Sequence, residues 1–371
     1  MKVELGRIYD ISSGGTPSKK CEDYYNGGKI KWVKTGDLKK KYLYDTDEHI
    51  TEKGLQNSSA KLYQPDTVLV AMYGATIGAT SILKTEACTN QACAAFMKNN
   101  RVIPEYLYYF FKSKKEKFIK DGVGGAQPNI SAGYLRKIEI DLISTGEQRK
   151  IVEKLGKMEK LICSEREKIL QFEILIKSRF VEMFGDPMNE ENWECASLSE
   201  VTNKIGSGAT PRGGRESYRK DGITLIRSMN VHDGYFEYKE LAHISELQAA
   251  QLDNVMVEEN DVFINITGAS VARSCIVPNE ILPARVNQHV AIIRCDEKRL
   301  NPVFANNMFL NDSFKKNLLK MGESGGATRQ AITKQQLEQL VVIVPPLELQ
   351  NQFAAFVRQV DKLKFETQKC A

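Results

Sequence analysis

The chain has 371 residues, too many for one ordinary core, and its 42% hydrophobic and 27% charged content excludes disordered and fibrous classes. Its formal net charge of +5 is unevenly placed: residues 1–185 hold 31 Lys+Arg against 23 Asp+Glu, for +8, and the remainder 21 against 24, for −3. That surplus permits phosphate contact by the first half but identifies no partner.

Cysteines at 21, 88, 93, 163, 195, 275, 295 and 370 form no Cys-x-x-Cys pair and lie near no histidine at zinc-ligand spacing, so no metal site is expected. They read as reduced thiols of a cytoplasmic protein. The opening MKVELGRIYD lacks the apolar core of a signal peptide. The uncharged run Thr67 to Leu83 is interrupted by Gly74 and Gly78 and falls short of a membrane span, so it reads as two buried strands around a turn.

In chain order the sequence repeats itself. Ser13-Gly14-Gly15-Thr16-Pro17 is answered 194 residues later by Ser207-Gly208-Ala209-Thr210-Pro211, with Tyr24 and Tyr218 at the same offset. Ile30 to Leu38 matches Ile223 to Val231, so that Lys34 answers Arg227, Thr35 answers Ser228 and Asp37 answers Asn230. The strand after Asp66 ends at Gly74-Ala75-Thr76-Ile77, and the strand after Asp261 ends at Gly268-Ala269-Ser270-Val271. Asn90-Gln91 recurs as Asn287-Gln288, Gly124-Gly125-Ala126 as Gly325-Gly326-Ala327, and Gln148 as Gln350. So many features in one order mean duplication.

Each copy has the order module, then helix. Residues 1–146 and 186–346 contain short β-type runs such as TVLVAMY, DVFINIT, VAIIRC and LVVIVP between Gly, Pro and Asn, with a helix expected at Glu105–Lys120 and its counterpart at Pro302–Lys320. The expected fold class is α/β (α+β): two similar mixed α/β domains built on twisted sheets. Between them, residues 147–185 place Ile151, Leu155, Met158, Ile162, Ile169, Phe172, Ile176 and Met183 at the three-and-four spacing of a coiled-coil seam, with Glu165 and Arg179 at two seam positions. Gly185-Asp186-Pro187 stops this helix. At 1.5 Å per residue the rod is roughly 57 Å long. The stretch 347–371, with Phe353, Val357, Val360 and Leu363 at the same spacing, is its natural antiparallel partner, the alternative being an independent dimerisation helix.

Along essentially its whole length the sequence resembles the specificity subunit of a type I restriction-modification enzyme. The resemblance is carried by the openings GRIYDISSGGTPS and SEVTNKIGSGATP, the strands IKWVKTGDL and ITLIRSMNV, the late segments GGAQPNIS and GGATRQAI, the helix entries EQRKIV and LQNQFA, and the exit FVEMFGDP. It implies two target recognition domains, each reading one half of a bipartite, asymmetric double-stranded DNA target, held apart by two helical regions in an antiparallel coiled coil. It also implies two docked methyltransferase subunits and further motor-nuclease subunits. The chain itself would carry no cofactor, and those partners would use S-adenosylmethionine, ATP and Mg. One departure stands out. The second helix, at ~23 residues or ~35 Å, is shorter than the first, which leaves Phe172, Ile176, Phe180 and Met183 expected to be exposed. A shortened rod completed by self-association, by another chain or by a methyltransferase subunit is the corresponding expectation.

Base reading needs Arg or Lys for guanine and Asn or Gln for adenine on elements that reach the major groove, and phosphate contacts set orientation. In the first module the candidates are Lys19, Lys20, Lys34, Thr35, Lys39 and Lys40, with Lys41, Tyr42 and Tyr44 beside them, and Gln127 and Asn129 after the glycine pair. In the second they are Arg212, Arg215, Arg227, Ser228, Arg273, Arg329 and Gln330, with Arg219 nearby. Asn90-Gln91 and Asn287-Gln288 lie in apolar runs and read as buried hydrogen-bonding groups; His49, His232, His243 and His289 share no motif and read as structural.

Catalysis has no slot here. The only Pro-Pro, Pro345-Pro346, lacks the Asn/Asp-Pro-Pro-aromatic context of a DNA methyltransferase, and no GxxxxGK[ST] is present for a nucleotide-driven motor. Two other readings fit the duplication: a protein-binding scaffold, or the recognition part of a single-chain restriction enzyme.

Overall fold

A computed structural model describes residues 1–122, 129–189, 192–211, 213–323 and 330–370, with Arg215, Ser217 and Cys370 described by backbone alone. The chain divides into two compact units, Met1–Leu161 and Ile162–Ala371.

In the first unit the strands are β1 (Lys2–Glu4), β2 (Ser12–Ser13), β3 (Ile30–Val33), β4 (Tyr42–Leu43), β5 (His49–Ile50), β6 (Leu62–Tyr63), β7 (Val68–Ala71), β8 (Thr80–Leu83), β9 (Ala87–Thr89), β10 (Cys93–Phe96) and β11 (Glu139–Asp141). The helices are α1 (Glu52–Gln56), α2 (Pro104–Asp121), α3 (Ala132–Arg136) and the start of α4 (Thr145–Phe184). One sheet has the order β2-β10-β7-β8-β4, a second β5-β3-β9-β6, and β1 pairs β11. Both faces of the first sheet are covered, so β7 is buried at every residue and reads as a continuous apolar run rather than an alternating one. Val68 and Val70 pack with Leu107, Phe111 and Phe118 of α2, whereas Leu69 and Ala71 pack with Val33, Leu43 and Tyr63.

The second unit repeats this plan. Its strands are β12 (Cys195–Ser197), β13 (Thr202–Ser207), β14 (Ile223–Ile226), β15 (Ala242–Ile244), β16 (Val262–Asn265), β17 (Ser274–Ile276), β18 (Ala284–Val286), β19 (Val290–Cys295) and β20 (Val341–Ile343). Its helices are α5 (Glu246–Ala250), α6 (Pro302–Leu310), α7 (Asp312–Glu323), α8 (Lys334–Glu338) and α9 (Leu347–Cys370). The sheets β13-β19-β16-β17, β15-β14-β18 and β12-β20 correspond to the three of the first unit. The parallel pair β3/β9 recurs as β14/β18.

Two details differ from the expected elements. The helix expected over Pro302–Lys320 is two, because Asn311 leaves helical geometry (ψ 138°) and its side chain accepts from Ser313 N at 3.0 Å, capping α7. The positive-φ residue equivalent to Asp66 (φ 67°) is Asn260 (φ 65°), not Asp261, whose side chain is instead buried against Arg294.

The helix α4 opens on a capping box in which Ser144 Oγ accepts from Glu147 N and Glu147 Oε2 accepts from Ser144 N. Hydrogen bonds from Ser144 hold the Glu147 carboxyl below its usual range. The division between units falls inside this helix, because its halves pack differently. In the first unit Val152 and Leu155 pack against the module, and Glu159 accepts from Tyr109 Oη at 2.7 Å and pairs with Lys112 at 2.5 Å. Ile151 and Met158, read as seam residues, are exposed.

In the second unit α9 runs antiparallel to the C-terminal half of α4. Phe353 meets Phe180 and Phe184 edge-on at ring separations of 5.5 and 5.7 Å, Arg179 lies over Phe356, and Lys364 pairs with Glu173 at 3.5 Å. The expectation that Phe172, Ile176, Phe180 and Met183 are exposed is therefore overturned. Ile176, Phe180 and Phe184 are buried, Phe172 and Met183 pack against the same core, and the premise for self-association through that end is gone. An antiparallel helix entering beside residue 184 covers the end of α4 first, however short it is. Among the described residues no helix is long and apolar enough to cross a membrane.

Candidate nucleic-acid interface

The repeated motifs converge on one edge of each module. In the first, β2, β3, β7 and β9 end there and β10 begins there. Gly15 N donates to Thr89 O at 2.9 Å, Asn90 N to Val33 O at 2.9 Å, and Met72 N to Ala92 O at 2.8 Å, stitching the Gly-Gly-Thr-Pro, Lys-Thr-Gly-Asp, Tyr-Gly-Ala-Thr and Asn-Gln loops together. The second module ties the same loops: Gly208 N to Asn287 O at 3.2 Å, one position out of step with the Gly15 bond, and the corresponding Asn287 N to Ile226 O at 3.0 Å and Ile266 N to His289 O at 3.0 Å. The Thr16 hydroxyl donates to Gln91 Oε1, and the Thr210 hydroxyl to Gln288 Oε1.

The glycines have steric reasons. A Cβ on Gly14 would lie 1.8 Å from Thr89 O, and one on Gly208 1.8 Å from Val286 O. Gly74 and Gly268, at φ 67° and 75°, occupy the left-handed region that side chains disfavour. After each of these turns the chain receives the late segment: Tyr73 bridges Asn129, and Gly268 N donates to Gln330 O at 2.9 Å.

Lys34 and Arg227 both open a one-turn helix whose third residue caps it: Asp37 Oδ2 accepts from Lys34 N at 2.7 Å, and Asn230 Oδ1 from Arg227 N at 3.1 Å. Thr35 and Ser228 sit in these turns, half-buried. The Lys34 ammonium is held by Glu48, which pushes its pKa up and removes it from the free cations. Arg227 donates to Glu240 O and stacks over Tyr218 at 5.5 Å. Lys19, Lys20, Lys39 and Lys40 are exposed. Lys41 is not beside them in role: its ammonium lies 4.3 Å from the Tyr109 ring centre and donates to Tyr109 Oη at 2.9 Å, at the joint with α4. Asn129 is exposed, and Gln330 Nε2 reaches Glu323 at 3.2 Å. Gln127, Arg212, Arg329 and both glycine pairs lie outside the described residues, as does the side chain of Arg215.

The Asn-Gln pairs split. Asn287 is buried and its Oδ1 accepts from His289 N, as expected, but Gln91 and Gln288 are exposed on the loop edge. Sequence reading missed them because the strands end at Thr89 and Val286, just before each pair, and leave both residues in a loop. The duplication itself was the available signal. Two histidines belong to the same edge: His289 Nδ1 pairs with the Thr267 hydroxyl, and His232 contacts Arg273. Among the described residues no group of His, Cys, Asp or Glu is placed to hold a metal.

Two duplicated domains, each ending in a helix and each presenting the same loop edge, match known proteins over the full chain. The profile described as the type I restriction modification DNA specificity domain matches twice, over residues 1–173 and 190–371.

The chain belongs to the type I restriction-modification DNA specificity family.

The type I restriction enzyme MjaIX specificity subunit of Methanocaldococcus jannaschii is 27% identical over 98% of this chain and 87% of its own length. The EcoR124I/EcoR124II specificity subunit of Escherichia coli is 25% identical over 49% of this chain and 46% of its own length. The type I restriction-modification S subunit from M. genitalium has the same fold, at a TM-score of 0.56 and 15% identity over 100% of this chain and 91% of that one. A chain solved in work on complex assembly and conformational transition of the type I R-M system gives 0.57 at 18% identity, over 100% and 94%. As a specificity subunit the protein is a non-catalytic, DNA-recognising component of a restriction-modification system.

Proposed function

We propose that each module reads one half of a split, asymmetric double-stranded DNA target through its loop edge, and that the helices set the spacing of the halves. The observation that carries this reading is the duplicated edge: one hydrogen-bonded frame, Thr16 to Gln91 and Thr210 to Gln288, bearing different side chains in the two copies. Equal frames with unequal side chains read unequal sequences in equal poses. Lys19, Lys20, Lys39 and Lys40 supply phosphate contacts in the first module. Asn129, Arg227, Ser228, Arg273 and Gln330 are assigned to base reading, with Thr35 as a hydroxyl contact and Gln127, Arg212, Arg215 and Arg329 assigned on sequence alone. The boundaries that follow are modules at 1–146 and 186–346 with helical regions at 147–185 and 347–371.

Leu170, Ile174 and Val181 form an exposed apolar row on α4, away from the face that meets α9. We assign it to a methyltransferase subunit, two of which would complete an adenine-modifying complex with S-adenosylmethionine. Motor-nuclease subunits using ATP and Mg would complete a cytoplasmic endonuclease.

Methylome sequencing of a host expressing the chain with its methyltransferase tests the reading. The expected result is modified adenine within two short motifs at a set separation, with only one motif changed when residues 1–146 are exchanged for another module. A continuous motif, or a motif indifferent to the exchange, overturns it.

A further inference from the structure

The two loop edges differ where the chain leaves β14. In the second module the chain turns through a tight hairpin, with Val231 bridging Phe236 and His232 N donating to Tyr235 O at 3.1 Å. The tip is tied down: Gly234 N donates to Ser274 O at 2.9 Å, and Asp233 pairs with Lys315. The hairpin therefore has a set position beside β17, and it presents the His232 ring stacked on Tyr235 with centres 4.8 Å apart and planes 11° from parallel. Asn265, at the end of β16, holds the root of this segment by donating to Ser228 O at 2.8 Å.

Arg273 enters the same place from the residue before β17. Its Nη1 donates to His232 Nδ1 at 3.5 Å, while His232 Nε2 lies 3.2 Å from Met229 O. A carbonyl can only accept, so Nε2 carries the imidazole proton and Nδ1 is free to accept from the guanidinium. One of five guanidinium N–H groups is thereby used, and no carboxylate among the described residues pairs with this arginine, in contrast to Arg285, Arg294 and Arg299. Four donors remain, in a planar fork aimed from a half-buried side chain. In the first module the corresponding residues, set by the equivalent turns at Gly78 and Ala272 and the equivalent caps Asp37 and Asn230, are Ala79 and Lys39. Among the described residues the first module has no such device, since Ala79 carries no side-chain donor.

We propose that Arg273 reads a guanine in the half-site of the second module, and that His232, braced by Tyr235, is the residue that positions it. The inference rests on the DNA-reading role proposed above for this edge. A donor-only fork matches the paired acceptors O6 and N7 of guanine in the major groove. The rigid hairpin spares it the ordering cost that a free surface arginine meets.

The test is selection of duplexes from a randomised library by the full chain in complex with its methyltransferase subunit. The variants are Arg273→Ala, Arg273→Lys, His232→Ala and His232→Asn. Wild type should select guanine at one position of one half-site. Arg273→Ala should relax that position by on the order of tenfold and leave the others intact. His232→Ala should relax the same position, and His232→Asn, whose amide oxygen can take the place of Nδ1, should restore it. Arg273→Lys keeps the charge and a donor without the planar fork and should bind with the guanine preference weakened, which keeps the test decisive if the alanine variants fold poorly. A uniform loss of affinity across all sequences with a shallower salt dependence would make Arg273 a phosphate contact and overturn the proposal. So would an unchanged preference in His232→Ala. Failure of the wild-type complex to select any split motif would sink the reading of the edge itself, a separate result.

Discussion

Gln350→Leu removes a joint that the two halves of the chain build identically. The Gln350 side chain is fully buried; its Oε1 accepts from Asn301 N at 2.8 Å, and its Nε2 donates to Arg299 O at 3.0 Å and Pro345 O at 2.7 Å. Gln148 makes the same three bonds, to Ile103 N at 2.9 Å, Arg101 O at 2.8 Å and Ile143 O at 2.9 Å. Each glutamine thus ties the first turn of its long helix to the start of α2 or α6 and to the chain leaving the module. Leucine of similar size keeps the volume but strands one N–H and two carbonyls, at about 1–3 kcal/mol for the donor and less for each acceptor. The sum is about 3–5 kcal/mol. For a unit of this size that amounts to roughly 6–20 °C in the melting transition. Scanning calorimetry of the full chain should show Gln350→Leu lowering the transition of the second unit and Gln148→Leu that of the first. Gln350→Glu, which sets a carboxylate against two carbonyl oxygens, should be no milder. A shift below about 2 °C in both leucine variants, or a Gln350→Glu protein as stable as wild type, would refute the assignment of the joint to these bonds.

Gly14→Ala and Gly208→Ala each force a Cβ to 1.8 Å from a carbonyl oxygen, so each should abolish sequence-selective DNA binding by its own half-site; alanine variants with normal selectivity in the library assay would contradict this. Phe353→Ala, which empties the centre of the Phe180, Phe184 and Phe304 cluster, should cost about 3–5 kcal/mol in urea unfolding. Asp66 is held below the usual carboxylate range chiefly by the hydrogen bond from Lys84 and by that from Lys98. Its contribution is therefore present above the ordinary carboxylate pKa and lost as pH falls through the lowered value. Lys84→Met should flatten the acid limb of urea stability over roughly pH 5 to 2, and an unaltered limb would count against the pairing.

Duplication was legible because a repeat needs no structure to be seen, and it gave the position of every loop that meets at the edge. Gln148 and Gln350 stood out by recurrence alone, although their triple bonds could not be guessed. What recurrence hid was divergence. Arg273 was named as one cationic candidate among several, but its partner His232 read as structural, because no motif links residues 41 positions apart that a hairpin brings within 3.5 Å. Lys34 and Lys41 read as free cations until Glu48 and Tyr109 were found beside them. The sheet order, with β3 parallel to β9 and β14 to β18, was likewise beyond local pattern.

By itself the sequence determined that two copies of one module alternate with helices, that no catalytic motif is present, and that the steric glycines stand at fixed places, because composition, order and backbone restriction are local properties. Only the tertiary structure decided which charges are spent in ion pairs and which are free, and which end of α4 is covered. Those depend on what a side chain meets across the fold, and α9 meets α4 from its C-terminal end. The short second helix therefore buries Ile176 and Phe180 where length alone had left them exposed.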